Sequence, residues 1–295
     1  MLHLTRPDGS RPEDFHMSRR GLAAALFFSG YAPFALSADA QPIHTDEAGL
    51  VTGPVMLPAA DRMLPAYVAR PAAPGRHPAI VVVSEIFGLH EFIKDVCRRL
   101  AKLGYVAVAP AFFVRAGDPA PLTDMGAIMR IVDAAPDRQV IGDVHAALKF
   151  LKAQPYADVE RLGIVGFCWG GRVAWQACEI FPEFKAGAAW YGHLAPDPGE
   201  APGKDKFWPL SHVGELRAPV IGLYGGLDKG IPQDQVEAMR AALKSHGDTV
   251  SQLIVYPDAQ HGFLADYRAS YNAPDAQDAW ARMLAFFAQH GLAAG

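Results

Sequence analysis

Cysteine is scarce in this sequence, which contains three among its 295 residues. Cys97, Cys168 and Cys178 form no Cys-x-x-Cys pair, so the sequence predicts neither a disulfide framework nor a metal site. The formal net charge is small, at −4, and no run of Lys or Arg forms a basic stripe. These absences exclude a nucleic-acid footprint and favour chemistry on a small molecule.

Long apolar runs are absent as well. The apolar stretch near the N-terminus, residues 22–36, is broken by a glycine and a proline and is too short for a membrane span. It follows Arg19-Arg20 and precedes Ala38-Asp39-Ala40, whose alanines are the small residues that a signal peptidase reads. This order of features is typical of a twin-arginine export signal.

These features predict three regions. Residues 1–40 are expected to be the export signal, residues 41–50 a linker, and residues 51–295 the folded domain. Met17 leaves open a later start, and a disordered arm is the alternative to a signal. The expected location is the periplasm or the exterior, or the cytoplasm if the signal does not function. The domain is expected to be monomeric, with a dimer as the alternative, and free of the membrane once the signal is removed.

Beyond the linker, apolar strand patterns alternate with amphipathic helix patterns. Residues 79–84 form a continuous β-branched run, residues 92–103 repeat apolar positions at helical spacing, and residues 105–109 return as a strand. Such alternation predicts an α/β fold with a mainly parallel, doubly wound sheet and helices on both faces. Further strands are predicted at 161–166, 186–190, 219–224 and 251–256, and further helices at 122–154 (split at Pro136), 169–180, 232–246 and 275–290.

Two segments stand apart from this alternation. Residues 51–57 and 63–70 read as two short strands joined by a polar turn, which predicts a hairpin at the edge of the sheet. Residues 191–216 contain Pro and Gly without clear periodicity, and a connection of this length is often functional. We expect it to form part of a pocket rim.

The strongest chemical signal is Gly166-Phe167-Cys168-Trp169-Gly170, a Gly-x-Cys-x-Gly pattern between a predicted strand and helix. Glycines two residues to either side of the cysteine permit a sharp turn that exposes the thiol. The positive end of the following helix favours the thiolate. A structural role in the core is the alternative, and it is the expected role of Cys97 and Cys178.

A thiol nucleophile needs a base, and His261 follows a predicted strand by a short loop. Asp228 follows the preceding strand and could hold the imidazole in the tautomer that accepts a proton from sulfur; a turn aspartate is the alternative. The order Cys168, Asp228, His261 along the chain is the order of nucleophile, acid and histidine in an α/β-hydrolase.

Glu85 comes at the carboxyl end of a buried strand, the edge where ligands bind in such folds. An apolar setting and a nearby thiolate are both expected to raise the pKa of Glu85, so that it exchanges a proton with Cys168. The backbone N–H groups of Ile86 and Trp169 are expected to form an oxyanion hole. A glutamate that caps the next helix is the alternative.

Together these residues resemble the dienelactone hydrolases, also called carboxymethylenebutenolidases, over about residues 50–290. The resemblance implies an α/β-hydrolase fold, a Cys168–His261–Asp228 triad, and a Glu85 that interacts with the thiol in the resting enzyme. Four motifs carry it: Ser84-Glu85-Ile86-Phe87-Gly88, Gly166-Phe167-Cys168-Trp169-Gly170-Gly171, Gly226-Leu227-Asp228 and His261-Gly262-Phe263.

Substrate contacts are harder to assign. Members that act on the dienelactone acid bind its carboxylate with arginine and tyrosine, which implies a role for Arg268 here. Its offset from His261 departs from the family pattern, and the charge of Asp266 would oppose an anionic substrate. Aromatic and basic side chains after other strands could line the pocket or belong to the core: Phe113, Arg115 and Tyr191.

The predicted reaction is hydrolysis of an ester or lactone through a thioester on Cys168, with no cofactor. The first alternative is a general carboxylesterase or thioesterase. A thiol redox protein is less well supported, because no second cysteine lies near Cys168 in the sequence. A non-catalytic binding protein on the same scaffold is the third alternative.

Overall fold

A computed structural model describes residues 31–38, 40–196 and 206–294. The predicted Arg19-Arg20 motif and the possible start at Met17 lie outside these ranges, as does the part of the predicted rim at 197–205.

Strands and helices alternate as the sequence predicts. The two predicted helices before residue 154 are separated at Pro136, as expected. One continuous helix could not run through this position, because proline lacks the N–H that a residue inside a helix donates. A 3₁₀ turn, Val213–Glu215, follows the short helix Pro209–His212. The elements are β1 (Leu50–Pro58), β2 (Met63–Pro71), β3 (His77–Val83), α1 (Glu91–Lys102), β4 (Val106–Pro110), α2 (Met125–Asp133), α3 (Asp137–Lys152), β5 (Ala157–Phe167), α4 (Trp169–Ile180), β6 (Phe184–Trp190), α5 (Pro209–His212), β7 (Val220–Gly225), α6 (Gln233–Ser245), β8 (Gln252–Tyr256) and α7 (Ala273–Gln289).

The eight strands form one sheet in the order β1-β2-β4-β3-β5-β6-β7-β8. Strands β1, β2 and β4 pair antiparallel, and all the pairs from β4 to β8 are parallel. The predicted α/β-hydrolase fold and its edge hairpin are therefore confirmed. The parallel strands end at the same edge of the sheet, which gathers the residues that follow β3, β5, β6 and β7.

The core explains why the central strands read as continuous apolar runs. Every residue of β4 is buried, as is every residue of β3 after His77, because helices cover the sheet. Cys97 in α1 and Cys178 in α4 are fully buried, and burial raises the pKa of both thiols. Neither is placed to act as a nucleophile at neutral pH.

The segment 31–38 packs on the domain. Tyr31 and Ala32 are buried, the Tyr31 ring lies 5.8 Å from the Tyr267 ring, and the Ser37 backbone N–H donates to the Tyr267 carbonyl at 2.9 Å. The predicted boundary between the export signal and the linker, between residues 40 and 41, therefore comes after a segment that packs on the domain. Cleavage at this boundary stays a prediction. No helix within the described ranges is long and apolar enough to cross a bilayer.

The described end of the predicted rim binds the helices beside it. The backbone N–H of Phe207 donates to Asp137 at 2.7 Å, and the Phe207 carbonyl accepts a hydrogen bond from Gln176. Asp137 also receives two hydrogen bonds from Arg172, at 2.7 and 2.8 Å. Phe207 is therefore fixed to the start of α3 and to the side of α4.

Candidate active site

Cys168 lies on a sharp turn between β5 and α4, with φ 56° and ψ −117°. This is a conformation that side-chain-bearing residues rarely adopt. Neighbouring glycines make the turn possible, because a Cβ on Gly166 would lie 1.8 Å from the Gly170 carbonyl oxygen. The side chain of Cys168 is half-buried, and it begins a helix whose positive end stabilises a thiolate.

The same turn presses against the end of β3. A Cβ on Gly170 would lie 2.4 Å from the Val83 carbonyl oxygen and 2.5 Å from that of Ser84. This close approach brings the first residue of α4, Trp169, beside the loop that carries Ile86. Neither backbone N–H donates to another described residue, so both are available to an oxyanion.

His261 lies within hydrogen-bonding distance of both other residues of the predicted triad. His261 Nε2 lies 3.1 Å from Cys168 Sγ, and His261 Nδ1 lies 2.7 Å from Asp228 Oδ2. The other carboxylate oxygen of Asp228 accepts from the backbone N–H groups of Gly230, at 2.8 Å, and Ile231, at 3.2 Å. These bonds fix the carboxylate, which in turn orients the imidazole toward the sulfur.

The charges around His261 favour its protonated form. Burial lowers the pKa of His261, but the charge interaction with Cys168 and the hydrogen bond to Asp228 outweigh burial and raise it to about 10. The imidazole is therefore protonated at neutral pH. A protonated imidazole beside a cysteine can supply a proton to a departing group.

Glu85 lies at this edge of the sheet, fully buried, but the thiol is not among its partners. Its carboxylate accepts a hydrogen bond from the Tyr267 hydroxyl at 2.7 Å and lies 3.4 Å from Arg268 Nη1 and 3.4 Å from His90 Nε2. The contact between Glu85 and Cys168 that the resemblance implied is thus absent from this structure. These three donors occupy the carboxylate instead.

The predicted direction of the pKa shift at Glu85 was wrong. Burial does raise the pKa of Glu85, but the hydrogen bond from His90 and the charge of Arg268 outweigh burial, so the pKa is lowered. The apolar setting and the thiolate can be inferred from the sequence. The donors that outweigh them come from α1 and from the loop after His261, and the fold alone brings them to the carboxylate.

Comparison with known proteins agrees with this geometry. The sequence profile described as the dienelactone hydrolase family matches residues 64–291. The chain belongs to the dienelactone hydrolase family. It is 47% identical over 279 residues to a protein of Methylorubrum extorquens assigned as a carboxymethylenebutenolidase, with 94% of each chain covered. It is 44% identical to one of Escherichia coli O157:H7 with the same assignment, covering 89% of this chain and 96% of that one.

A solved structure gives the same result. The crystal structure of a protein of Klebsiella pneumoniae assigned as a dienelactone hydrolase superposes with a TM-score of 0.76 at 45% identity, covering 81% of this chain and 99% of that chain. The chain is accordingly a hydrolase of the carboxylic-ester class.

Arg268 reaches the site of this dienelactone hydrolase despite its unexpected offset. Two successive tight turns, closed by hydrogen bonds from Ala265 to Gly262 and from Arg268 to Ala265, fold the chain back on itself. The guanidinium then lies against the backbone that follows His261, where a Cβ on Gly262 would come within 2.4 Å of Arg268 Nη1. Glycine at position 262, with φ +77°, makes this close approach possible.

Asp266, which was expected to repel an anionic substrate, does not face the site with a free charge. Its side chain is buried and pairs with Arg99 of α1. Burial raises the pKa of Asp266, while the charge of Arg99 opposes that rise. Asp266 therefore fixes the loop to α1, and its charge is largely offset by Arg99.

Two of the predicted pocket side chains lie against residues of the predicted site. The Tyr191 ring meets the His261 imidazole edge-on at 5.1 Å, and Tyr191 adopts a positive φ of 40° at the end of β6. The Phe113 ring lies 4.7 Å from the Trp169 ring and also lines a cavity of about 470 Å³. Their roles in binding substrate stay predictions.

Arg115 is placed differently from these two. Its guanidinium makes two hydrogen bonds with Asp143, at 2.8 and 2.9 Å, and two with Asp61, at 2.8 and 2.6 Å. A guanidinium with both edges occupied by carboxylates has little left to offer an anionic substrate. Its placement supports a structural ion pair that joins α3 to the turn after β1.

His90 and Tyr267 belong to the site but were not predicted from the sequence. Both are buried and both contact Glu85. The position of His90, five residues after Glu85 at the start of α1, was the one available signal. Tyr267 had no such signal, because its position depends on how the loop after His261 folds.

Proposed function

We propose that this dienelactone hydrolase cleaves a lactone or ester through a thioester on Cys168. The observation that carries the proposal is the chain of contacts Cys168 Sγ to His261 Nε2 at 3.1 Å and His261 Nδ1 to Asp228 Oδ2 at 2.7 Å. This arrangement provides a nucleophile, a proton donor and an orienting carboxylate in the geometry that acyl transfer requires.

In the first step the Cys168 thiolate attacks the carbonyl carbon and forms a C–S bond. The carbonyl oxygen becomes negative and receives hydrogen bonds from the N–H groups of Ile86 and Trp169. When the intermediate collapses, the C–O bond of the ester breaks and His261 Nε2 gives its proton to the departing oxygen. In a lactone the departing alcohol stays attached to the acyl group.

In the second step a water molecule replaces the alcohol. Neutral His261 accepts a proton from water while the water oxygen attacks the thioester carbon. The C–S bond then breaks, the carboxylic acid product leaves with the water oxygen, and the thiolate and imidazolium are restored. Asp228 remains ionised throughout and stabilises the imidazolium.

Arg268 supports a substrate that carries a carboxylate. Its side chain is 22% exposed, its guanidinium lies beside the backbone after His261, and its charge acts on Cys168. Charge-assisted hydrogen bonds from arginine favour a carboxylate over a neutral group. An acidic lactone therefore fits this site better than a neutral ester of the same size.

Alkylation of the thiol tests the nucleophile. One equivalent of iodoacetamide is expected to label Cys168 and abolish hydrolysis of both an acidic lactone and a neutral ester. Cys97 and Cys178 serve as internal controls, because both are fully buried and should stay unlabelled in the folded enzyme. Mass spectrometry of peptides identifies the labelled residue. In a separate experiment, the unlabelled enzyme mixed with a slowly hydrolysed ester should carry the acyl group on the same peptide.

Full hydrolytic activity after complete labelling of Cys168 would overturn the proposal. The pair of substrates also separates the alternatives within the class, since equal kcat/KM for both would favour a general carboxylesterase. No hydrolysis of any ester or lactone by the unmodified enzyme would favour a redox or a binding role.

A further inference from the structure

The Glu85 carboxylate is fully buried, and a buried charge is costly unless hydrogen bonds or opposite charges compensate for it. Arg268 offers one partner, but its nearest nitrogen is 3.4 Å away and its side chain is partly exposed. The short hydrogen bond to this carboxylate, at 2.7 Å, comes from the Tyr267 hydroxyl. A neutral donor therefore makes the closest contact with the charge.

His90 is the other ring that faces this carboxylate. Its ring is buried among three aromatic rings, those of Phe87, Phe92 and Tyr267, at centroid distances of 6.2, 6.1 and 5.1 Å. Neither ring nitrogen has a hydrogen-bond partner among the described residues, and Nε2 lies 3.4 Å from Glu85 Oε2. The ring therefore places Nε2, which can carry an N–H, toward the carboxylate.

We infer that His90 and Tyr267 are positioning residues that keep Glu85 ionised and turned toward Arg268, away from Cys168. Without them the carboxylate would keep Arg268, whose nearest nitrogen lies 3.4 Å away, as its remaining described partner. It would then take up a proton more readily and would be free to rotate toward the thiol. The inference rests on the proposed function, because the thiol matters as a nucleophile, but the position and charge of Glu85 can be tested without turnover.

The titratable groups around Glu85 come from several elements. His90 lies directly before α1, and Tyr267 and Arg268 belong to the loop after His261. Two further groups interact electrostatically with Glu85 or Arg268: Tyr191 at the end of β6 and Cys168 at the turn. Burial raises the pKa of Tyr191 and Tyr267, and the Glu85 charge raises both further, so neither loses its proton in the range of the test. The Glu85→Gln variant distinguishes protonation of Glu85 from protonation of the other groups beside the thiol.

The charge beside Cys168 can be measured with two thiol reagents of similar size. Sulfonatoethyl methanethiosulfonate carries a sulfonate that stays ionised throughout the test, and hydroxyethyl methanethiosulfonate is neutral, so the ratio of the rate of the first to that of the second at Cys168 rises when the surroundings become more positive. Protonation of Glu85 leaves Arg268 uncompensated, and the ratio should step upward as the pH falls through the pKa of Glu85. Neither reagent requires the enzyme to hydrolyse anything.

The Tyr267→Phe variant removes the short hydrogen bond and retains the ring. The step in the rate ratio is expected to move to higher pH by about one unit or more, since one unit corresponds to a modest hydrogen bond to a charge. His90→Leu should shift the step in the same direction. His90→Gln keeps a donor at similar reach and should return the step most of the way to its wild-type position.

Glu85→Gln is the control that identifies the group, because it should abolish the step. A step that persists in Glu85→Gln, or a step at the wild-type pH in a folded Tyr267→Phe variant, would overturn the inference. Loss of folding in His90→Leu alone would not affect the test, because Tyr267→Phe and His90→Gln carry it independently. A normal result here with no esterase activity would instead count against the proposed function.

Discussion

At the scale of single residues, the site depends on a few hydrogen-bond and ion-pair partners of each charged side chain. Asp228 fixes one side of His261 and the Cys168 sulfur occupies the other, so the imidazole has one orientation. The buried charge of Glu85 is shared among three donors, and that of Asp266 is offset by Arg99. Each of these arrangements decides a protonation state, and the protonation states decide which chemistry is available.

The raised pKa of His261 predicts a pH dependence that differs between leaving groups. The imidazolium persists through neutral pH and is lost as the pH rises through about 10. Above that pH, thioester formation from an alkyl ester should fall about tenfold per unit, because the leaving alkoxide no longer receives a proton. An ester of a nitrophenol, which departs as a stable anion, should show little decline.

Single-turnover measurement of thioester formation across this pH range checks the prediction. Circular dichroism at each pH serves as the control for folding. A parallel decline with both esters would exclude His261 as the proton donor to the leaving group.

At the scale of elements, the turn between β5 and α4 is the most constrained part of the fold. It carries Cys168 at a positive φ, and it packs so closely on the end of β3 that no side chain fits at Gly170. The proposed oxyanion hole uses the N–H of Trp169, the residue directly before this glycine. The geometry proposed for the oxyanion hole and the stability of the turn therefore depend on the same glycine.

Two glycine-to-alanine substitutions should separate the effect of this close backbone contact on stability from the effect of helix propensity. Gly170→Ala is expected to lower the free energy of unfolding by about 1–3 kcal/mol, because the new methyl group overlaps backbone oxygens that cannot move far. Gly142→Ala in α3, where a Cβ meets nothing within 4 Å, should instead raise it by about 0.5–1 kcal/mol. Urea denaturation measures both.

The catalytic consequence should follow the structural one. Gly170→Ala should also lower kcat for an ester, while Gly142→Ala should leave it unchanged. Equal stability changes in the two variants would contradict the close contact between α4 and β3.

At the scale of the whole molecule, distant segments converge behind the site. The segment 31–38 packs on Tyr267, which holds Glu85, and Thr45 binds Asp95 of α1 through its backbone N–H at 2.6 Å. The N-terminal part of the described chain thus supports residues from the loop after β8. Removal of this part would expose the aromatic side chains under it.

Tyr31→Ala in the full chain tests this support. The tyrosine is 9% exposed, so its truncation should lower the free energy of unfolding by about 2 kcal/mol. Phe34 belongs to the same segment but is 42% exposed, and Phe34→Ala should cost less than about 1 kcal/mol. Thermal unfolding followed by circular dichroism compares the two, and an unchanged Tm in Tyr31→Ala would show that the segment does not pack in solution.

The sequence alone determined the order of the elements, the family and the three residues of the proposed triad. These follow from short-range rules: apolar periodicity marks the strands and helices, and Gly-x-Cys-x-Gly between a strand and a helix is typical of a sharp turn. A parallel sheet brings the ends of its strands together, so the nearness of Cys168, Asp228 and His261 follows from the predicted order of strands and helices.

Only the tertiary structure decided which partners the buried charges take. Glu85 is 182 residues from Tyr267 in sequence, and Arg115 could have faced the site had Asp61 and Asp143 not occupied it. Arg268 reaches the backbone next to His261 because two tight turns reverse the chain. The physical reason is that local preferences act between neighbours along the chain, whereas the compensation of a buried charge depends on whichever donors the finished fold brings within about 3 Å.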